Sequence, residues 1–152
     1  MLGARAATLL ISVRLACLEA LQSRIDDRPL IGTPVALVDY LRVRYGHQAS
    51  ETVGVIHLSG SGRMIREETP FMGSVQSAPI HARDIVRRAL ELGSTSIILF
   101  HNHPSGDPRP SNADLAATRA VTRAASLFDI ALDDHIVVTR SGWTSFRSEG
   151  LL

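Results

Sequence analysis

Apolar and polar positions along the chain change rhythm from segment to segment. Residues 3–24 are good helix formers, and Leu9, Val13, Cys17 and Leu21 recur every four residues. Ile11, Leu15 and Leu18 fall on other faces of the same predicted helix. A helix that is apolar nearly all round needs cover on more than one side. Gly32 marks a break, and Thr33-Pro34 reads as an N-cap with proline at the first helical position, opening a helix that runs to Tyr45. From Thr52 the spacing shortens. Val53, Val55, Ile56 and Leu58 predict a strand, Ser59-Gly60-Ser61-Gly62 a turn, and residues 63–69 the returning partner. Residues 71–77 read as a further strand ahead of Pro79.

Helical spacing returns over residues 82–92, with Ile85, Val86, Ala89 and Leu90 facing inward and Gly93 as the stop. Ser96-Ile97-Ile98-Leu99-Phe100 is the most hydrophobic run and predicts a buried central strand. A Pro/Gly-rich loop over 104–110 leads into a long helix over 111–128. Short strands at 136–138 and 144–146 flank a turn at Ser141-Gly142. Helices and hairpins interleave, so the fold class is α+β. Residues 1–32 form an N-terminal helix and linker, and residues 33–152 a single globular domain.

Bulk properties narrow the picture further. A chain of 152 residues with 45% hydrophobic and 20% charged positions buries a real core and is not disordered. Sixteen basic residues against fifteen acidic leave a net charge of +1, and no basic strip is visible. That argues against nucleic acid as a partner of this chain alone. Cys17 is the one cysteine, which excludes an internal disulfide and favours a reducing, cytoplasmic setting. It also means that a zinc site here must use histidine and carboxylate. Residues 6–13 imitate a signal-peptide core, but Arg14 and Glu19 interrupt it. The stretch is also far short of the ~20 apolar residues of a membrane span, so no membrane association is expected.

The chemistry concentrates after the central strand. Strand residues two apart share a face, so a strand continued from Ser96 projects His101 and His103 together at its end. Pro104, Gly106, Pro108 and Pro110 stiffen the loop and turn it back, and Asp114 falls in the first turn of the next helix. Two imidazoles and a carboxylate then meet with a fourth position open, the layout of a catalytic zinc site. Each part also has a bland explanation. A lone His-x-His is usually solvated, and Ser111-x-x-Asp114 resembles a capping box at a helix start. Taken together, the rigid loop between two histidines and a carboxylate favours the metal. His135, beside Asp133 and Asp134, reads as a hydrogen-bonded structural residue. His47, His57 and His81 carry no spacing signal, and Trp143 reads as a packing anchor.

His101-x-His103, seven residues, Ser111, two residues, Asp114 resembles the motif of the JAMM (MPN+, JAB) metalloproteases, which include deubiquitinating isopeptidases. The wider run from His101 through Ser111, with Gly73-Ser74-Val75, Ala82-Arg83-Asp84-Ile85 and Leu132 through Val138, resembles the bacterial RadC branch. The likeness covers roughly Thr33 to the C-terminus. It implies a JAB-type curved sheet flanked by helices and one zinc per chain on His101, His103 and Asp114. It also implies an upstream glutamate as general base, which by position is Glu51, although spacing alone does not separate it from Glu67, Glu68 or Glu91. Ser111 takes the role of oxyanion donor in the same resemblance. The implied activity is zinc-dependent cleavage of a peptide or isopeptide bond in a protein or peptide substrate. The rival reading is a non-catalytic zinc-containing binding module, or a DNA-repair accessory. RadC-like proteins usually begin with a helix-hairpin-helix region, of which only Leu2 through Ala7 and the following helix resemble the last piece. That apolar helix is expected to meet a second copy in a two-fold homodimer, with Leu18 at the contact.

Overall fold

The computed structural model describes residues 3–26, 28–30, 35–72 and 81–152. Its elements run α1 (Ala4–Asp26), α2 (Val35–Tyr45), β1 (Thr52–Leu58), β2 (Met64–Met72), α3 (Ala82–Leu92), β3 (Ser96–Asn102), α4 (Asn112–Ser126), β4 (Ala131–Val138) and β5 (Trp143–Ser145). The strands form one sheet in the order β2-β1-β3-β4-β5. β3 and β4 are parallel and the other neighbours antiparallel. A parallel pair needs a crossover, and α4 supplies it. The α+β architecture with flanking helices is as expected.

Alternation along the strands divides the interior into two layers. Ile56, Leu58, Ile98, Phe100, Ile136 and Val138 face one side and pack with Ile25, Leu37, Tyr40, Leu41 and Tyr45 from α1 and α2. Val55, Ile97 and Leu99 face the other, against Ile85, Val86 and Ala89 of α3 and Val121 and Ala125 of α4. A strand covered on both faces must be apolar throughout, which is why β3 carries Ile-Ile-Leu-Phe without a polar break. By the same parity His101 belongs to the α3/α4 face and Asn102 to the opposite one.

Several elements depart from the sequence-based reading. Phe71 and Met72 do not open a new strand but extend β2, paired with Val53 and Thr52. The remainder of that expected strand, 73–77, and the Thr33-Pro34 cap lie outside the described residues. β4 starts at Ala131, five residues earlier than expected. Its Asp-Asp-His run carries no apolar period, yet Asp134 is fully buried. Its carboxylate accepts hydrogen bonds from Ser145 Oγ (2.6 Å) and from the backbone N–H groups of His135 (2.7 Å) and Arg147 (3.0 Å). The β3–β4 register jumps between Ile97↔Leu132 and Ile98↔Asp134, leaving Asp133 as a bulge. The extra residue reverses the alternation, so His135, opposite Leu99, faces α4. Trp143, expected as a packing anchor, keeps 39% of its surface exposed.

α1 docks through its C-terminal half. Ile25 is buried, and Leu18 and Leu21 pack partly against the core. Leu18 therefore does not lie on the free face to which it was assigned. Leu9, Leu10, Ile11, Val13 and Leu15 are exposed. Among the described residues no helix is long and apolar enough to cross a membrane.

One close approach sets the packing of β1 on the α2 layer. A Cβ added at Gly54 would lie 2.6 and 2.8 Å from Cε1 and Cε2 of Phe100. That ring is fully buried and packs on Tyr45 at a centroid distance of 4.9 Å. Gly54→Ala is therefore expected to destabilise the fold by about 1–3 kcal/mol, the usual cost of overpacking, although alanine suits a strand better than glycine does. Chemical denaturation measures it, and an unchanged midpoint would mean that the ring has room to move aside.

Candidate metal centre

His101 is the penultimate residue of β3 and is 1% exposed. β3 ends one residue later, at Asn102, and the His103 N–H then donates to the Val138 carbonyl (3.0 Å), which keeps the chain beside β4 for one residue more. Both imidazoles consequently project from one face, with their Nε2 atoms 2.9 Å apart. The loop then folds back at once. The Gly106 N–H reaches the His103 carbonyl (3.1 Å), and Gly106 sits at φ +87°, a conformation that favours glycine. This return places the Asp107 carbonyl 2.8 Å from His103 Nδ1.

α4 starts immediately after the loop, and Ser111 is its N-cap. The Asp114 N–H donates to Ser111 Oγ (3.2 Å), while the Ser111 N–H and hydroxyl both donate to Asp114 Oδ2 (2.7 Å each). The capping box is real, and it does not exclude a second task for the same carboxylate. Asp114 Oδ1 lies 3.4 Å from His101 Nε2, and Oδ2 lies 3.5 Å from His103 Nε2.

Glu51 arrives from the neighbouring strand. β1 runs antiparallel to β3 with Val53 opposite His101, so the residue two positions earlier falls level with His103 and on the same face. Asn102 holds that approach. Its Oδ1 accepts the Thr52 N–H (2.8 Å) and its Nδ2 donates to the Ser50 carbonyl (3.1 Å), bracketing Glu51 on both sides. Ligand atoms of Glu51, His101, His103 and Asp114 all lie within 4.8 Å of one another. The three alternative glutamates are engaged elsewhere. Glu67 accepts from Tyr40 (2.6 Å) and Tyr45, Glu68 pairs with Arg88, and Glu91 with Arg87 and Arg88.

The donor set fits a divalent metal. A carbonyl can only accept, so the contact with Asp107 places a proton on His103 Nδ1 and leaves a lone pair on Nε2 of the neutral ring. That lone pair faces a second imidazole and two carboxylates, all hard or borderline donors of the kind that bind zinc and its neighbours. The electrostatics of the metal-free chain agree. Burial pushes the Asp114 carboxyl up, but the bonds from His101, His103 and Ser111 outweigh it and hold Asp114 well below the ordinary carboxylate range. His103 is held above the ordinary histidine value, first by Asp114 and against burial. The pocket therefore favours positive charge.

His135, expected to be hydrogen-bonded and structural, does bond: its Nε2 is 2.8 Å from His101 Nδ1 and its Nδ1 is 2.7 Å from Thr118 Oγ1. Burial above all holds its pKa well below the ordinary value. His47 and His81 are exposed and stand apart from the cluster. His57 is buried near Glu68 (3.7 Å), and burial lowers its pKa. Asn102 and Thr118 had not been singled out. Asn102 lies between the two histidines, but its task depends on the β1 register. The only signal for Thr118 is its place four residues after Asp114, one turn along the same helix face.

The family model described as RadC-like JAB domain matches residues 31–151. A UPF0758 protein of Rhodobacter capsulatus is 40% identical over 131 residues, covering 86% of this chain and 61% of that protein. UPF0758 proteins of Ruegeria pomeroyi (36% over 131 residues; 86% and 58% covered) and Methylibium petroleiphilum (38% over 133 residues; 88% and 60% covered) are similar too. The chain thus spans about three fifths of the length of these relatives. With the matched region reaching from α2 through the histidine loop to the last strand, the chain belongs to the RadC-like JAB domain family.

Proposed function

We propose that residues 33–152 form a zinc-dependent peptidase or isopeptidase domain acting on a protein or peptide substrate. The observation that carries this reading is the convergence of Glu51, His101, His103 and Asp114 from three separate elements. His101, His103 and Asp114 would hold one zinc ion, and Glu51 is left for proton transfer. A zinc ion in this position supplies Lewis acidity and brings the pKa of a coordinated water to about 7.

The chain's own residues account for the remaining steps. Glu51, exposed at the mouth of the cluster, accepts a proton from the attacking water and returns it to the leaving amine. Ser111 is exposed too and donates to the oxygen of the attacked carbonyl as charge develops. To do so its hydroxyl must turn from Asp114 Oδ2, which keeps the Ser111 N–H as a donor and so stays in place. The position of Glu51, free of the arginine and tyrosine partners that occupy Glu67, Glu68 and Glu91, favours the enzyme over a binding module.

Reconstituted protein is expected to hold one zinc per chain by elemental analysis; finding none sinks the reading. His103→Ala should lose the ion with little change in melting temperature, because His103 is only partly buried. His101→Ala should lose the ion and also stability, by about 1–3 kcal/mol, since it leaves a buried nitrogen of His135 without its partner.

Glu51→Gln should retain zinc and lose hydrolysis by about 10²–10⁴-fold, because an amide cannot take the proton. Activity is read as new primary amines released from a cell extract, which registers both peptide and isopeptide cleavage. Turnover equal to wild type would place the base elsewhere. Ser111→Ala should be milder, about 10²–10³-fold, and its melting curve separates lost capping from lost catalysis.

A further inference from the structure

We infer that His135 and Thr118 are positioning residues that fix the tautomer of His101, through a one-way hydrogen-bond relay that begins at the backbone of Asp114. The inference rests on the proposed metal site and adds to it how that site is kept ready.

The direction of the relay follows from proton counting. The Asp114 carbonyl lies 2.6 Å from Thr118 Oγ1 and can only accept, so the single hydroxyl proton of Thr118 is committed there. Were that proton turned elsewhere, two oxygens would face each other at this distance with nothing between them. His135 Nδ1, 2.7 Å from the same Oγ1, must then be the donor in that contact. A neutral imidazole carries one N–H, and complete burial disfavours the charged form. His135 Nε2 is therefore bare. His101 Nδ1, 2.8 Å away, must supply the proton of the third bond. What remains is an unprotonated His101 Nε2, aimed at Asp114 and His103.

An imidazole in the opposite tautomer would present an N–H to the metal position and could not ligate. The relay removes that alternative before any ion arrives. It also ties the ligands together. Asp114 offers its carboxylate from α4 while its own carbonyl anchors the chain that orients His101 on β3. His135 stacks on Phe146 at a centroid distance of 4.5 Å, which holds the middle ring. The Asp133 bulge is what turns His135 to this face at all. His103 is fixed independently by the Asp107 carbonyl.

The first test needs no metal and no variant. Long-range ¹H–¹⁵N spectra of the metal-free chain, recorded above the ordinary histidine pKa of about 6.5, should show both His101 and His135 protonated on Nδ1. A His135 protonated on Nε2 overturns the relay. The second test measures zinc affinity by competition with a chromophoric chelator. Thr118→Val and His135→Leu should each weaken binding by about 10–100-fold, the usual effect of removing a partner of a metal ligand. Thr118→Ser keeps the hydroxyl, and His135→Gln can still accept from His101 Nδ1, so both should stay near wild type. If Leu and Gln weaken binding equally, His135 acts by packing alone and the relay is wrong. Should His135→Leu fail to fold, the Val/Ser pair at Thr118 and the wild-type spectra still decide. A wild-type chain that binds no zinc refutes the proposed function, whereas the tautomers decide the relay in either case.

Discussion

The pairing of β1 with β3, Val53 opposite His101, controls the geometry of the centre because it fixes which residue of the upstream strand comes level with the histidines. Side chains in a strand alternate, so a slip of one residue would turn Glu51 to the far face and bring Thr52 in its place. Two features prevent the slip. Within the sheet, Gly54 admits the Phe100 ring where a side chain would not fit. At the end of the sheet, the Asn102 amide grips the backbone on either side of Glu51. Asn102 is fully buried and sits between the two histidines, so one tripeptide supplies two imidazoles to one face and the clamp for their partner strand to the other.

Asp114 belongs both to a local stabilising motif and to the candidate metal cluster. Ser111 satisfies Oδ2, and the helix start favours a negative charge there. The carboxylate is thereby ordered and kept ionised despite burial, which is also what a cation ligand requires. The capping box and the proposed ligand role are compatible within one arrangement. The helix cap provides rigidity that a solvated carboxylate would lack, and the cost of removing the charge from water is offset by the bonds that hold it.

Much of this was legible in the chain because the signals are local. The apolar run of β3, the glycine stop of α3 and the Ser-x-x-Asp start of α4 each depend on neighbours a few residues apart. His101, His103 and Asp114 could be grouped because all three fall within fourteen consecutive positions. Glu51 could not be derived this way, since its place depends on a pairing fifty residues distant; the family resemblance pointed to it, and the register explains it. β4 was cut short for a different reason. A strand whose polar residues are satisfied by Ser145 and by the backbone of Arg147 has no apolar period to detect, and a bulge breaks what alternation there is. Leu18 was misplaced because a helix apolar on every side gives no indication of which face is docked.

Burial grades the cluster from one side to the other. His101, His135 and Thr118 are almost completely enclosed, His103 is partly covered, and Glu51 and Ser111 are exposed. Groups that must hold an orientation thus lie where water cannot compete for their hydrogen bonds, and an unpaired polar atom there would be costly. Glu51 and Ser111, the proposed base and oxyanion donor, lie where water can reach them. The sheet end achieves this by pointing one ligand inward against α4 and letting the chain leave the sheet at the next. An approach over Glu51 and Ser111 is the direction the enclosed side leaves open, so the proposed base and oxyanion donor would flank the same carbonyl while the buried relay keeps the ligands still.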